Sequence, residues 1–172
     1  RILMRIAIPA EVEGGETRVA ATPDTVKKFL GLGATVTVAS GAGTASGFPD
    51  SDYEAAGATI AKTAKAVLKD AELVLKVRRP ASSELAHYKK GALVIAMMDP
   101  YGEDAALKAM ADAGVVAFAM ELLPRITRAQ VMDVLSSQAN LAGYRAVVDA
   151  AAEYGRALPM MMTAAGTVPA AK

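Results

Sequence analysis

Residues 4–40, MRIAIPAEVEGGETRVAATPDTVKKFLGLGATVTVAS, decide the fold class, because two strand patterns flank one helix pattern within them. The runs Met4–Pro9 and Ala34–Ser40 are short and carry apolar residues on both faces. Strands buried on both faces belong to parallel sheets covered by helices. Between them, Thr22 before Pro23 supplies an N-cap with proline at the first helical position, and Gly33 ends the helix.

The same alternation continues down the chain. Glu72–Arg78, Ala92–Met97 and Val115–Met120 read as further buried strands, and Asp50–Ala56, Lys62–Lys69, Ser83–Tyr88 and Glu103–Ala113 as helices. A β-α-β-α order implies right-handed crossovers and a doubly wound, mostly parallel open sheet of flavodoxin-like or Rossmann-like type. After Pro124 the pattern changes. Thr127 to Tyr154 predicts one long helix, opened by a capping box at Thr127 and Gln130 and stopped by Gly155. Its length of about 40 Å suits an interdomain helix. The expected organisation is therefore an N-terminal α/β domain over 1–125, an interdomain helix over 126–156, and a loop-like lead-in over 157–172 to a second domain.

Composition narrows the function classes. In 172 residues, 53% hydrophobic against 22% charged, a substantial core is available. Nineteen basic and eighteen acidic residues leave a net charge of +1, which favours neither nucleic acid nor an anionic membrane. The chain has no cysteine and a single His87, so thiolate chemistry and histidine metal clusters are excluded, and no metal site is expected. The absence of cysteine fits a reducing cytoplasm. The longest uncharged run, Ala157–Ala171, contains Pro159 and Pro169 and is shorter than the roughly 20 residues a spanning helix needs. RILMRIAIP lacks the order of a signal peptide, and Arg1–Leu3 read as an upstream extension.

Within the long helix pattern, Gln130, Asp133, Ser137, Asn140 and Tyr144 recur at helical spacing, which predicts one polar face, with Ser136 at its edge. Short amides, hydroxyls and one carboxylate suit a partly dry cleft; a solvated helix face is the alternative. Arg125 stands between a strand and the helix start, where ligands of open α/β sheets bind. Its planar fork suits a carboxamide or phosphate, although pairing with Glu121 would equally explain it. Gly41–Gly47 lacks the spacing and the following acid of a dinucleotide fingerprint and reads as a turn-rich loop. Lys76 in a buried strand requires a cleft or an anion, Arg18 follows a flexible-looking loop, and His87 reads as a surface residue.

The stretches MELLPRITRAQVMDVLSSQANLAGYRAV and PMMMTAAGTVPAAK closely resemble the NAD(H)-binding component of proton-translocating NAD(P) transhydrogenase. RIAIPAEVEGGETRVAATPDTVKKFLGLG resembles the start of that component and of the related alanine dehydrogenases. The resemblance implies hydride transfer from NADH to NADP+ bound on a partner component, coupled to proton movement through a membrane-spanning one. It implies a cofactor-binding motif at Arg125, Ile126, Thr127, Gln130, Val131, Met132, Asp133 and Ser136. Their roles would be positional, and no acid–base catalytic residue is expected. It further implies a homodimeric full subunit, held peripherally at the cytoplasmic face of the membrane through its partners without inserting, and binding no nucleic acid. In that family a G-x-G-x-x-G turn follows the equivalent of VPAAK. The chain stopping at Lys172 is thus expected to be an inactive fragment whose main NAD(H) anchor lies further on.

Two other readings remain open. An alanine-dehydrogenase-like enzyme would use Arg18 and Lys76, which match oxo-acid-holding positions. It would also need a histidine after strand 92–97, where Met98, Asp99 and Pro100 stand instead. A non-catalytic, flavodoxin-like interaction domain would fit the strand pattern equally well.

Overall fold

The computed structural model describes residues 4–171, so the expected extension at Arg1–Leu3 lies outside the described residues. Strands β1 (Arg5–Ile8), β2 (Thr35–Ala39), β3 (Thr59–Ala61), β4 (Leu73–Arg78), β5 (Leu93–Met97) and β6 (Val116–Ala119) form one sheet. Their order is β3-β2-β1-β4-β5-β6, and every pairing is parallel. Helices α1 (Pro23–Gly31), α2 (Asp50–Ala55), α3 (Ala64–Leu68) and α4 (Asp104–Asp112) provide crossovers. This is the doubly wound Rossmann strand order, with its switch point between β1 and β4.

The period-2 geometry of a strand divides the core in two. Ile6 and Ile8 of β1 join Val36 and Val38 under Val26 of α1 and Tyr53 of α2. Ala7, between them, turns to the opposite cluster with Val74, Val94, Val67, Leu68 and Met110. At α1, Thr22 caps the helix by accepting from the Thr25 N–H, and Pro23 opens it, as expected. Two expectations need correction in this part of the chain. The short edge strand β3 pairs with β2 but lacks a strand-length apolar run, and it is missing from the sequence reading. Segment 83–88 forms only a 3-10 turn, Leu85–His87. The terminal strand β6, read as buried, also leaves Val116 and Phe118 about half exposed.

The chain divides into two compact units, Arg1–Pro124 and Arg125–Lys172. In the second, the predicted continuous helix from Thr127 is corrected. Thr127–Met132 is a 3-10 helix, and α5 begins only at Val134, running to Glu153. Asp133 is the reason. Its backbone is extended, and its carboxylate accepts from the Leu135 and Ser136 N–H groups, making it the N-cap of α5. An aspartate cap competes successfully with the Thr127–Gln130 capping box, which does not form. Twenty residues of α5 span about 30 Å. The tail read as loop contains a hairpin, β7 (Met161–Thr163) and β8 (Gly166–Val168), closed by Gly166 at φ 135°.

Candidate functional site

Arg125, Asp133 and Ser136 of the second unit form a linked set at the head of α5. The Ser136 hydroxyl donates to Asp133 Oδ2 (2.6 Å), and the Asp133 carboxylate also caps the helix. Arg125 donates through one terminal nitrogen to Ser136 Oγ (3.2 Å), with Asp133 Oδ2 at 3.8 Å from the same nitrogen. The Ser136 hydroxyl and backbone N–H, assisted by the Leu135 N–H and Arg125, hold the Asp133 carboxyl below its ordinary value. The aspartate thus stays ionised and fixes both its neighbours. Arg125 remains 80% exposed in its side chain and engages one of its nitrogens here, so most of its five N–H donors still face outward.

This arrangement modifies the reading of a five-residue polar face. Gln130 lies on the 3-10 helix and Asp133 at the cap, so only Ser137, Asn140 and Tyr144 belong to α5. Ser137 donates to the carbonyls of Asp133 and Val134, which turns its hydroxyl back onto the helix. Glu121, the other partner considered for Arg125, is engaged within the first unit. Its Oε1 accepts from the backbone N–H groups of Met98 and Asp99.

In the first unit, a cavity of about 410 Å³ opens where the strand order reverses, lined by residues including Glu11, Glu13, Lys76, Arg78, Arg79 and Glu103. Lys76 meets the anion that its buried position requires. Its ammonium donates to both oxygens of Glu84 (3.1 Å each), with Glu11 at 3.8 Å, and the three side chains are 1%, 7% and 4% exposed. Glu11 also accepts from Val77 N (2.7 Å) and Arg78 N (3.3 Å), tying the chain after β1 to the end of β4. Burial pushes the Glu11 carboxyl up, against the pull of the Val77 N–H and the Lys76 charge. Arg18 binds Glu16 through two nitrogens, at 2.8 and 2.7 Å. That pairing, helped by further hydrogen bonds from the Arg18 backbone and Arg78, lowers Glu16 to about 2.

These carboxylates decide what the crevice can hold. A Rossmann unit that binds a dinucleotide here has a glycine-rich turn after its first strand, with helix N–H groups facing the pyrophosphate. In this chain Pro9, Ala10 and Glu11 follow β1, and α1 begins only at Pro23. Glu11 places an acid where phosphate would come. The Gly41–Gly47 loop offers no cradle either: a Cβ at Gly43 would stand 2.6 Å from the Tyr53 ring and 2.7 Å from the Phe48 carbonyl oxygen. Tyr53 fills that space and donates to the Ala21 carbonyl. His87 lines a separate depression with Lys65, Lys69 and Lys89.

Sequence reasoning missed Glu11, Glu16 and Glu84, and considered Glu121 only as a partner for Arg125. A signal existed for two of them, since a lysine in a buried strand demands a buried carboxylate, and Glu16 stands two residues from Arg18. Asp99 was legible only as the occupant of a loop. It adopts φ 44°, a left-handed conformation rare outside glycine, at the carboxyl end of β5. The Glu121 carboxylate on its N–H and Arg79 on its carbonyl (2.9 Å) hold it there.

Known proteins of similar sequence and structure show the family of this chain. The first portion of the NAD(P) transhydrogenase alpha subunit of Rhodospirillum rubrum is 51% identical over 174 residues, which cover 98% of this chain and 45% of that protein. The crystal structure of transhydrogenase from Sinorhizobium meliloti matches with a TM-score of 0.90 and 59% identity, covering 97% of this chain and 50% of that one. A solved L-alanine dehydrogenase matches at a TM-score of 0.79 and 28% identity, over 87% of this chain and 40% of that one. The chain thus spans about half, or less, of the length of these relatives. The family model described as "Alanine dehydrogenase/PNT, N-terminal domain" matches residues 7–142, and this chain belongs to that family.

Proposed function

We propose that this chain supplies the nicotinamide-side part of the NAD(H)-binding component of a proton-translocating NAD(P) transhydrogenase. The observation that carries this reading is the Arg125–Ser136–Asp133 set, an outward-facing guanidinium held on an ionised, helix-capping carboxylate. Its donors suit a carboxamide oxygen. Arg125 and Gln130 bind the nicotinamide end, Asp133 and Ser136 orient Arg125, and Ile126, Thr127, Val131 and Met132 shape the surface around the ring. The nicotinamides themselves give and take the hydride, so the protein contributes orientation and exclusion of water.

The Glu11 crevice supports a division of labour. With no phosphate cradle among the described residues of this unit, the pyrophosphate and adenosine belong to a second, Rossmann-type domain of the full subunit, to which residues 157–172 lead and α5 connects. NADP(H) sits on a partner component and protons pass through a membrane-spanning one. The subunit is a homodimer, peripheral at the cytoplasmic face. Reduction of an oxo-acid would need a proton donor near its carbonyl. The one histidine stands elsewhere, and Arg18 and Lys76 are engaged by Glu16 and Glu84.

Asp133→Asn and Arg125→Ala in the full-length subunit test the proposal. Hydride transfer is expected to fall at least tenfold or so in each, with a smaller change in the NADH dissociation constant read by fluorescence, because misplacing the ring costs rate more than binding. Normal transfer with altered assembly would instead establish an interaction module. Pyruvate-dependent NADH oxidation would establish an alanine-dehydrogenase-like enzyme.

A further inference from the structure

A depression of about 560 Å³ lies against α3 and the turn before β5, with Thr63, Lys65, Lys69, Asp70, His87 and Lys89 in its wall. Lys69 and Lys89 stand just before β4 and β5, at the amino edge of the sheet, whereas the Glu11 crevice belongs to the carboxyl edge. The three lysines and His87 are exposed. Among the described residues Lys65, Lys69 and His87 make no side-chain hydrogen bond or ion pair. Lys89 reaches a carboxylate, that of Glu72, only at 4.0 Å. Asp70 is the one acid among the described lining residues, and Arg5 already holds it at 3.2 Å. This gathering of cations is local, because residues 4–124 carry thirteen lysines and arginines against fifteen aspartates and glutamates. Like charges crowded on a concave surface repel, and such a surface raises the local concentration of the opposite ion.

We propose that this depression binds a phosphate monoester, carried by a small soluble molecule or by a lipid headgroup. Lysine binds phosphate as a point charge, and three ammonium groups match the two charges and three terminal oxygens of a monoester. A carboxylate or a phosphodiester brings a single charge and leaves part of the cluster uncompensated. The same holds for each phosphate of a dinucleotide, so this site is distinct from the one that takes NAD(H). Neutral donors complete the set. His87 offers a ring N–H, and Thr63 accepts from the Ala66 N–H through its hydroxyl oxygen, which leaves its own proton to donate. The volume falls in the range of small-molecule sites, so part of the carrier fits beside the phosphate.

The test uses the full-length subunit saturated with NADH, so that its dinucleotide site is filled, beside the double variant Lys65→Gln/Lys69→Gln. Calorimetric titration with glycerol 3-phosphate measures the soluble arm. Co-sedimentation with phosphatidylcholine vesicles, with and without phosphatidic acid, measures the lipid arm. The wild type is expected to bind at least one probe in a salt-sensitive way. The double variant should bind it about tenfold more weakly or worse, with hydride transfer unchanged. Lys65→Arg/Lys69→Arg should retain binding, which separates loss of charge from loss of structure. Binding of glycerol 3-phosphate assigns a soluble ligand, and binding of the phosphatidic acid vesicles alone assigns the headgroup. Binding of neither probe overturns the proposal. So does equal binding by the wild type and the glutamine variant, or equal loss in the glutamine and arginine variants. Displacement of glycerol 3-phosphate by acetate at equal concentration also overturns it, because the cluster would then attract any anion.

Discussion

Replacing Lys76 with methionine tests the reading of the switch-point crevice as a self-satisfied ionic network. Methionine preserves most of the aliphatic stem and removes the ammonium. Glu84 and Glu11 would then face each other as buried carboxylates, 7% and 4% exposed, without the cation that lies 3.1 and 3.8 Å from them. Breaking a buried pair from one side costs about 3–5 kcal/mol, because the orphaned charge stays desolvated. At about 2–4 °C per kcal/mol for a chain of this size, melting falls by roughly 6–20 °C. The loss has a pH signature. Without the ammonium the Glu11 carboxyl, which burial already raises, loses the charge that pulls it down and rises further above the ordinary 4.5, so the folded state binds more protons than the unfolded one above that pH. Stability of the variant must therefore rise as pH falls from 7 to 5, more steeply than in the wild type, where burial raises Glu11 already. Adding Glu84→Gln to Lys76→Met should recover part of the loss at pH 7. Urea unfolding of the 172-residue chain at both pH values measures all of this. A single variant within about 1 kcal/mol of wild type, or a loss not relieved at pH 5, would refute the network.

Further outcomes follow from single sites. Gly43→Ala drives a methyl against the Tyr53 ring and the Phe48 carbonyl oxygen, and since the latter is backbone it cannot swing away; thermal melting should register a loss of about 1–3 kcal/mol. Glu16, lowered to about 2 by Arg18, contributes stability that is fully present above its ordinary 4.5 and disappears as pH falls through about 2. Glu16→Gln should accordingly be less stable at pH 7 and show a flatter acid limb in a pH series of melting temperatures. Asp133→Ala removes both the cap of α5 and the acceptor of Ser136, so amide hydrogen exchange should quicken at Leu135 and Ser136 while the first unit is unaffected.

Much of the fold was legible because its evidence is local. The apolar runs of β1, β2, β4 and β5 show buried strands within a few residues each, and Thr22-Pro23 with Gly33 marks a helix start and stop without reference to anything distant. The polar cap region was harder. Thr127–Gln130 and Asp133–Ser136 are both plausible helix starts within one short segment, and the choice depends on which carboxylate or hydroxyl reaches free N–H groups once the chain bends. β3, with three residues and no distinctive run, exists because β2 offers it an edge. The candidate site was read as a list of residue types at helical spacing, and the structure regroups it: Arg125, Asp133 and Ser136 interact directly, while Ser137, Asn140 and Tyr144 belong to a helix that starts after the cap.

What the sequence determined by itself was the doubly wound class and, with no cysteine, the absence of thiolate chemistry; it also singled out the segment around Arg125 as the candidate site. Periodicity, composition and short motifs are properties of neighbouring residues, and they survive without coordinates. Only the tertiary structure decided that Lys76 is neutralised by Glu84 and Glu11, that an acid occupies the switch point, and that Thr127–Met132 coils separately from α5. Those facts depend on residues brought together across 8 to 66 positions of chain, or on a 3-10 rather than an α-helical pitch. Charge compensation acts through space and not along sequence, which is why the same lysine reads as a puzzle in the strand and as a tie between segments in the fold.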